Sequence, residues 1–264
     1  MITRLLVAVV FIPVVLLTVS VAPLWCFFLL LEVFLVAALW EFYRLLKDES
    51  LRGFELTALL TAASPFVAWL SLLSLYFYLT MIPLLLMVQS MVRTSFQNRN
   101  LAQISANVLC FIYLSIPFSL AVRLRVSQDG ASGHELAFLL ICVWVSDSAG
   151  YFVGRSVGQH KVLPRLSPNK SLEGFTASLF APSLVAALIQ PHILPGQSAW
   201  GAALLGGVIG GSGIAGDLFE SFLKRRAGMK DSSALIPGHG GVLDRLDSLL
   251  FVLPAYYFLT RIVW

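Results

Sequence analysis

Charge is what this chain lacks. Lys, Arg, Asp and Glu make up 12% of its 264 residues, about half of the roughly 25% usual in soluble domains. So little charge does not cover the surface of a soluble enzyme of this size. The apolar fraction of 58% and a mean hydropathy of +0.85 exclude disorder and collagen as well. Cysteine is scarce: Cys26, Cys110 and Cys142 all sit inside apolar runs with no CxxC pair, which excludes a disulfide framework or zinc site and leaves packing thiols. The alternation of a membrane β-barrel is missing. No internal repeat or low-complexity tract stands out. What remains is an all-α, polytopic membrane protein, in which helices satisfy every backbone polar group internally.

Apolar runs lie at about 4–22, 23–43, 54–73, 75–92, 101–122, 135–154, 171–190, 198–222 and 243–263, nine candidate spans in a single integral-membrane domain over 1–264. The first has the outline of a signal peptide but exceeds the roughly 7–15 residues of an h-region, so an uncleaved span is expected. With the N-terminus inside, 15 of the 18 Lys and Arg fall on inner segments, and only Arg123, Arg125 and Arg261 fall outside. That bias predicts a cytoplasmic N-terminus. It also explains the pI of 9.1 without a nucleic-acid partner. Short outer turns are expected at Ala22-Pro23, Ser74-Leu75 and Gln190-Pro191-His192.

Polar residues are distributed unevenly. Residues 1–140 read as a plain hydrophobic half, and 141–264 as the half that carries the chemistry. Asp147 stands eight residues before Arg155, about 12 Å from that end of its helix, where a carboxylate is costly. Asp217 and Glu220 share one helical face by their i,i+3 spacing, and Asp244 and Asp247 repeat it. Five carboxylates from three helices thus enter the membrane from one side. Two readings stand. Hard divalent cations take oxygen ligands together with substrate phosphates. Alternatively these are intramembrane ion pairs, such as Asp244 with Lys224 or Glu220 with Arg225. Glu32 and Glu41 read as structural, with Glu41 near Arg44.

Lys170 and Ser171, in Leu166-Ser167-Pro168-Asn169-Lys170-Ser171, stand at a helix start, where free amides attract phosphate. Gly211-Ser212-Gly213-Ile214-Ala215-Gly216 matches GxGxxG, but no strand precedes it, which rejects a dinucleotide site. The pairs Gly206/Gly210 and Gly207/Gly211 suit close helix packing. Pro237-Gly238-His239-Gly240-Gly241 forms a loop whose backbone admits a ligand closely and leads directly to Asp244. His134, His160 and His192 are isolated and take no role.

The segments Gly216-Asp217-Leu218-Phe219-Glu220, Ser221-Phe222-Leu223-Lys224-Arg225, Lys230-Asp231 and Pro237-Gly238-His239-Gly240-Gly241-Val242-Leu243-Asp244-Arg245-Leu246-Asp247 resemble the signature of the phosphatidate cytidylyltransferases, the CDP-diacylglycerol synthases. The stretch Trp144 to Gly174 is similar to a second polar block of that family, with Gly150-Tyr151 for its usual Ala-Tyr and Ser167-Pro168-Asn169-Lys170-Ser171 for its usual Ser-Pro-Gly-Lys-Thr.

The resemblance implies that CTP and phosphatidate are converted to CDP-diacylglycerol and pyrophosphate. It implies Mg²⁺, with room for a second metal ion, and a homodimer with a cytoplasm-facing funnel in a bacterial-type cell membrane. On this reading Asp217, Asp244, Asp147 and Glu220 are candidate metal ligands. Asp217, Asp244, Asp247, Lys224 and Arg245 form the catalytic set. Ser167, Lys170, Ser171, Ser221, Arg225, Lys230, Asp231, His239, Gly240 and Gly241 contact substrate. The rival readings are a CTP-dependent polyprenol kinase and an ion-coupled secondary transporter. The missing repeat and the one-sided acids speak against the latter.

Overall fold

The computed structural model describes residues 12–46, 54–93, 99–126, 133–164, 166–193, 198–236 and 240–263. Among these residues helix dominates, and the strand pairings are two isolated bridges, Lys161 with Ser171 and Ile236 with Gly240. Helix α1 is described over 12–20. It is followed by α2 (Leu24–Leu46), α3 (Phe54–Leu70), α4 (Leu72–Arg93), α5 (Arg99–Arg125), α6 (His134–Ser156), α7 (Leu172–Ile193), α8 (Ala199–Arg226) and α9 (Leu243–Phe258), the last continued by a π-helical turn over Leu259–Val263. Six helices (α2, α4, α5, α6, α7 and α8) are long and apolar enough to cross a membrane, and α3 is a shorter apolar helix. The chain is therefore a polytopic helical membrane protein, as its composition requires. Part of the first apolar run lies outside the described residues.

The helices carry apolar side chains on both faces. In α2, Phe27, Leu31, Leu35, Ala38 and Phe42 are buried, while Trp25, Leu29, Val33, Val36 and Trp40 are exposed. In water the second face would be polar; an apolar one belongs against lipid tails. Prolines inside helices are accommodated locally. Pro65 in α3 removes the amide that would bond the Thr61 carbonyl, and the Ser64 hydroxyl donates to that carbonyl instead at 2.8 Å.

Two expected turns are placed differently. The break between α3 and α4 falls at Ser71, not at Ser74-Leu75, because the Ser71 hydroxyl accepts the Ser74 amide at 3.0 Å and caps α4. Helix α7 runs on to Ile193, through the predicted Gln190-Pro191-His192 turn. A proline near a helix end forfeits only one hydrogen bond and need not stop the helix. Cys110 and Cys142 are buried in the core and Cys26 is half-buried, all as free thiols.

The three arginines expected outside lie together at one end of the bundle. Arg125 donates to Ala22 O at 2.8 Å and Arg123 to Ala68 O at 3.3 Å, which satisfies carbonyls where α1 and α3 finish. Arg261 pairs with Glu135 at 2.7 Å, beside the start of α6.

Among the helix pairs, α7 with α8, α6 with α7 and α8 with α9 make the most extensive contacts, and glycines set their spacing. A Cβ on Gly206 or Gly210 would collide with backbone atoms of Pro182, Ser183 and Ser178 in α7, and one on Gly216 with the Asp247 carbonyl in α9. The Gly206/Gly210 pair therefore works as predicted. Gly207 and Gly211 meet only side chains, at 3.2 Å (Ser183 Oγ) and 3.7 Å (Leu179 Cδ1). The contrast is testable. Alanine improves helix propensity over glycine by about 1 kcal/mol, so Gly211→Ala should hold or raise the unfolding midpoint in detergent. Gly210→Ala and Gly216→Ala should lower it, because overpacking costs about 1–3 kcal/mol.

Candidate active site

At the bundle end opposite those arginines, α6, α7, α8 and α9 enclose a cavity of about 720 Å³. Its wall carries four carboxylates (Asp147, Asp217, Asp244 and Asp247) and four cations (Arg155, Lys161, Lys170 and Arg245). The floor is held by reciprocal hydrogen bonds in which Ser146 donates to Ser178 O at 2.8 Å and Ser178 to Ser146 O at 3.0 Å. Next to this pair, Ser248 Oγ stands 3.4 Å from Asp147 Oδ1. The close α6–α7 approach depends on Gly150 and Gly174, since a Cβ on Gly174 would stand 2.9 Å from Gly150 O.

Residues 157–164 and 166–171 form the rim. Lys170 closes it by an ion pair to Asp217 at 2.5 Å. The Ser171 hydroxyl accepts the Gly174 amide at 3.2 Å and caps α7. His160, which stood isolated in sequence, pairs through Nδ1 with Glu173 at 2.6 Å, and Leu172 N donates to His160 O at 2.8 Å. The rim is thus folded back on α7. Arg225 adds a bond from Nε to Leu166 O at 3.3 Å.

Behind the cavity wall lies an ionic lattice. Lys224 donates to Asp244 Oδ1 at 2.6 Å and to Glu220 Oε2 at 3.1 Å. The three side chains are 13%, 8% and 0% exposed, respectively. Asp244 Oδ2 accepts three further bonds, from Gly241 N at 2.8 Å, Ser232 Oγ at 2.9 Å and Ser232 N at 3.0 Å. Gly240 adopts φ +82°, and a Cβ there would stand 2.8 Å from Asp244 Oδ2. This turn requires glycine on both counts.

Two smaller spaces adjoin the cavity. One, of about 340 Å³, shares Ser167 and Asn169 with it and is walled by Ser221, Lys224, Arg225, Lys230 and Asp231. The other, of about 140 Å³, shares Asp147 and Arg245 with it and is otherwise apolar, lined by α1, α2, α5, α6 and α9 residues such as Val15, Phe27, Leu31, Phe118 and Leu250.

A polar, doubly charged cavity with an apolar annex is an unusual thing to build inside a membrane bundle. A family model described as "Cytidylyltransferase family" matches residues 2–263. The chain belongs to that family. It is similar to phosphatidate cytidylyltransferases of Staphylococcus epidermidis, 42% identical over 119 residues, covering 45% of this chain and 46% of that one. Those of Bacillus subtilis (37% over 159 residues, 57% and 56%) and Mycobacterium leprae (42% over 146 residues, 55% and 46%) are also similar. The chain spans about half the length of the curated relatives it matches.

In this chain the residues singled out from sequence fall into groups. Asp147, Ser167, Lys170, Ser171, Asp217, Asp244, Arg245 and Asp247 line the large cavity. Ser221, Lys224, Arg225, Lys230 and Asp231 line the basic annex. Gly241 reaches the site by its amide on Asp244. Glu220 lines neither space: it is fully buried and held by Lys224. His239 lies outside the described residues. The ion-pair alternative holds for Asp244 with Lys224, while Glu220 pairs with Lys224 and not with Arg225.

Among the described residues, no group of three or more His, Cys, Asp and Glu is placed to hold a metal ion by itself. Among the described residues, the cavity lining offers carboxylates and no His or Cys. That chemistry suits a hard cation completed by phosphate oxygens and water.

Sequence reasoning read Glu41 as structural but placed it beside Arg44 and did not find its partners. Arg44 lies over the Trp40 ring at 4.7 Å, and Glu41 turns the other way, into the loop before α9. Its position within a continuous apolar run was the available signal, since an intramembrane carboxylate needs partners.

Removing one partner from a buried ion pair strands the other and costs about 3–5 kcal/mol. Lys224→Met should therefore sharply lower the unfolding midpoint in detergent. Adding Glu220→Gln to that variant should recover part of the loss, because the fully buried charge is then gone.

Proposed function

We propose that the protein is a CTP:phosphatidate cytidylyltransferase, which joins CTP and phosphatidate into CDP-diacylglycerol with release of pyrophosphate for phospholipid biosynthesis. One observation carries the reading: a single cavity bearing both acids and bases shares wall residues with a basic annex and, through others, with an apolar one. A nucleoside triphosphate and a lipid phosphate need those three environments in that order. The relatives' names agree with it.

The chemistry asks little of a general base. A phosphate monoester has a second pKa of about 6, so phosphatidate is already an anionic nucleophile at neutral pH. It attacks the α-phosphorus of CTP, and the bond to the β-phosphate oxygen breaks. The task is to bring two polyanions together and take up charge on the leaving group. Lys170 and Arg245 line the large cavity and suit the reacting phosphates. Lys224, Arg225 and Lys230 wall the annex and suit the triphosphate tail. The apolar annex, which meets the cavity at Asp147 and Arg245, suits the first part of an acyl chain.

Asp217, Asp147 and Asp247 are the carboxylates from which a Mg²⁺ would be held, with Asp244 available once Lys224 moves from its Oδ1. Bound there, Mg²⁺ would neutralise charge on the triphosphate. We assign Glu220 no contact with the metal, because it is sealed behind Lys224. By the positive-inside rule, the cavity end faces the cytoplasm of a bacterial-type cell membrane, where CTP is found. The family resemblance adds a homodimer.

Purified protein given labelled CTP, phosphatidate and Mg²⁺ should form CDP-diacylglycerol and pyrophosphate. Release of CDP would indicate a lipid kinase instead, and no nucleotide turnover would favour transport. Asp244→Asn should reduce turnover at least 100-fold, about the loss expected when a charge-stabilising group is removed. Ala121→Phe, placed to fill the apolar annex, should raise KM for long-chain phosphatidate at least fivefold and leave KM for CTP within twofold. Equal rises in both would reject the acyl-chain assignment.

A further inference from the structure

The loop that carries the signature residues is anchored far from its own sequence. Glu41, in the middle of the hydrophobic half, is fully buried, and its carboxylate accepts four hydrogen bonds from the segment 232–243. Oε1 takes Ser233 Oγ at 2.5 Å and Val242 N at 2.9 Å; Oε2 takes Ser232 Oγ at 2.9 Å and Leu243 N at 2.6 Å. Helix α9 has no side-chain cap of its own at Val242. Glu41 supplies one from α2, placing a negative charge against the positive end of the helix that bears Asp244 and Asp247. Gly241 fits closely beneath it: a Cβ there would stand 2.5 Å from Glu41 Oε1.

Ser232 extends the connection. Its hydroxyl lies 2.9 Å from Glu41 Oε2 and also 2.9 Å from Asp244 Oδ2. One proton is therefore shared between two carboxylates, and the position of each depends on the other.

We propose that Glu41 is a positioning residue for the reaction, fixing through Ser232 and the first amides of α9 the orientation in which Asp244 faces the reacting phosphates. This rests on the cytidylyltransferase reading above. The carboxylate is required as such. A glutamine offers one acceptor oxygen, and its amide nitrogen would confront N–H and O–H donors.

A misplacement of about 1 Å costs around 100-fold in rate. In purified protein, Glu41→Gln should lower kcat about 10- to 100-fold with KM for CTP within twofold. Glu32→Gln, the same change one helical stretch earlier, should leave kcat unchanged. Ser232→Ala should lower kcat by less, and the double variant Glu41→Gln/Ser232→Ala by no more than Glu41→Gln alone, because both act along one path. Wild-type kcat in Glu41→Gln, or losses that multiply in the double variant, would overturn the proposal.

If Glu41→Gln does not fold, two serines carry the test. Ser232 touches both carboxylates, whereas Ser233 touches Glu41 without touching Asp244. Ser232→Ala should then slow turnover and Ser233→Ala should not; equal losses would leave only a structural role and refute the assignment. If the wild type turns over no CTP, the functional reading fails separately. Hydrogen exchange still decides Glu41's hold on the loop: faster exchange at Val242 and Leu243 in Glu41→Gln supports it, and unchanged exchange refutes it.

Discussion

A carboxylate buried in an apolar bundle must collect donors, and the signature segment of this protein is arranged around two that do. Asp244 takes donors from Lys224, Ser232 and Gly241. Glu41 takes four more from the same loop and from the start of α9. In water each bond would be replaceable by solvent and worth little. In a low-dielectric interior an unmet charge is expensive, so Ser232, Ser233 and the amides of 241–243 are held where they satisfy both groups. The positions of α2, α8 and α9 follow from that requirement.

The same constraint explains how basic and acidic groups coexist in one cavity. Lys170 on Asp217 and Lys224 on Asp244 and Glu220 keep the site close to neutral. On the proposed reading these lysines are also the groups suited to phosphate. Arrival of a polyanion and a cation would then exchange partners within the site, instead of burying new charge. Glycine makes the geometry possible: Gly150 and Gly174 let α6 and α7 touch, and Gly216 lets α8 lie against the Asp247 carbonyl. A bundle with ordinary side chains there would hold the carboxylates further apart.

The helices were legible in sequence because each apolar run from residue 23 onward matches one helix, apart from 54–73, which passes the Ser71 break into α4. Breaks were less legible. Ser71 and Ser74 are chemically equal candidates for a turn, and only the capping bond from the Ser74 amide decides between them. The site was legible where polar residues are concentrated, at Asp147, Asp217, Asp244 and Asp247, which converge on one cavity. Glu220 bears the same charge at the same spacing yet faces inward, a difference that spacing alone does not reveal. His160 was left without a role and Glu41 was set beside Arg44 because their partners, Glu173 and residues of the loop before α9, come from other elements.

Composition by itself determined that this chain is a membrane helix bundle: 12% charge cannot cover a soluble surface, and helices alone satisfy the backbone along long apolar runs. The ordered signature between Gly216 and Asp247 likewise identified the family, since its spacing survives in one dimension. Tertiary structure decided which acids line the cavity, which are paired with a lysine, and which carboxylate from the hydrophobic half anchors the signature loop. Those assignments depend on distances of about 3 Å between residues up to 202 positions apart. Only the folded chain, under the pressure to pair every buried charge, brings them within reach.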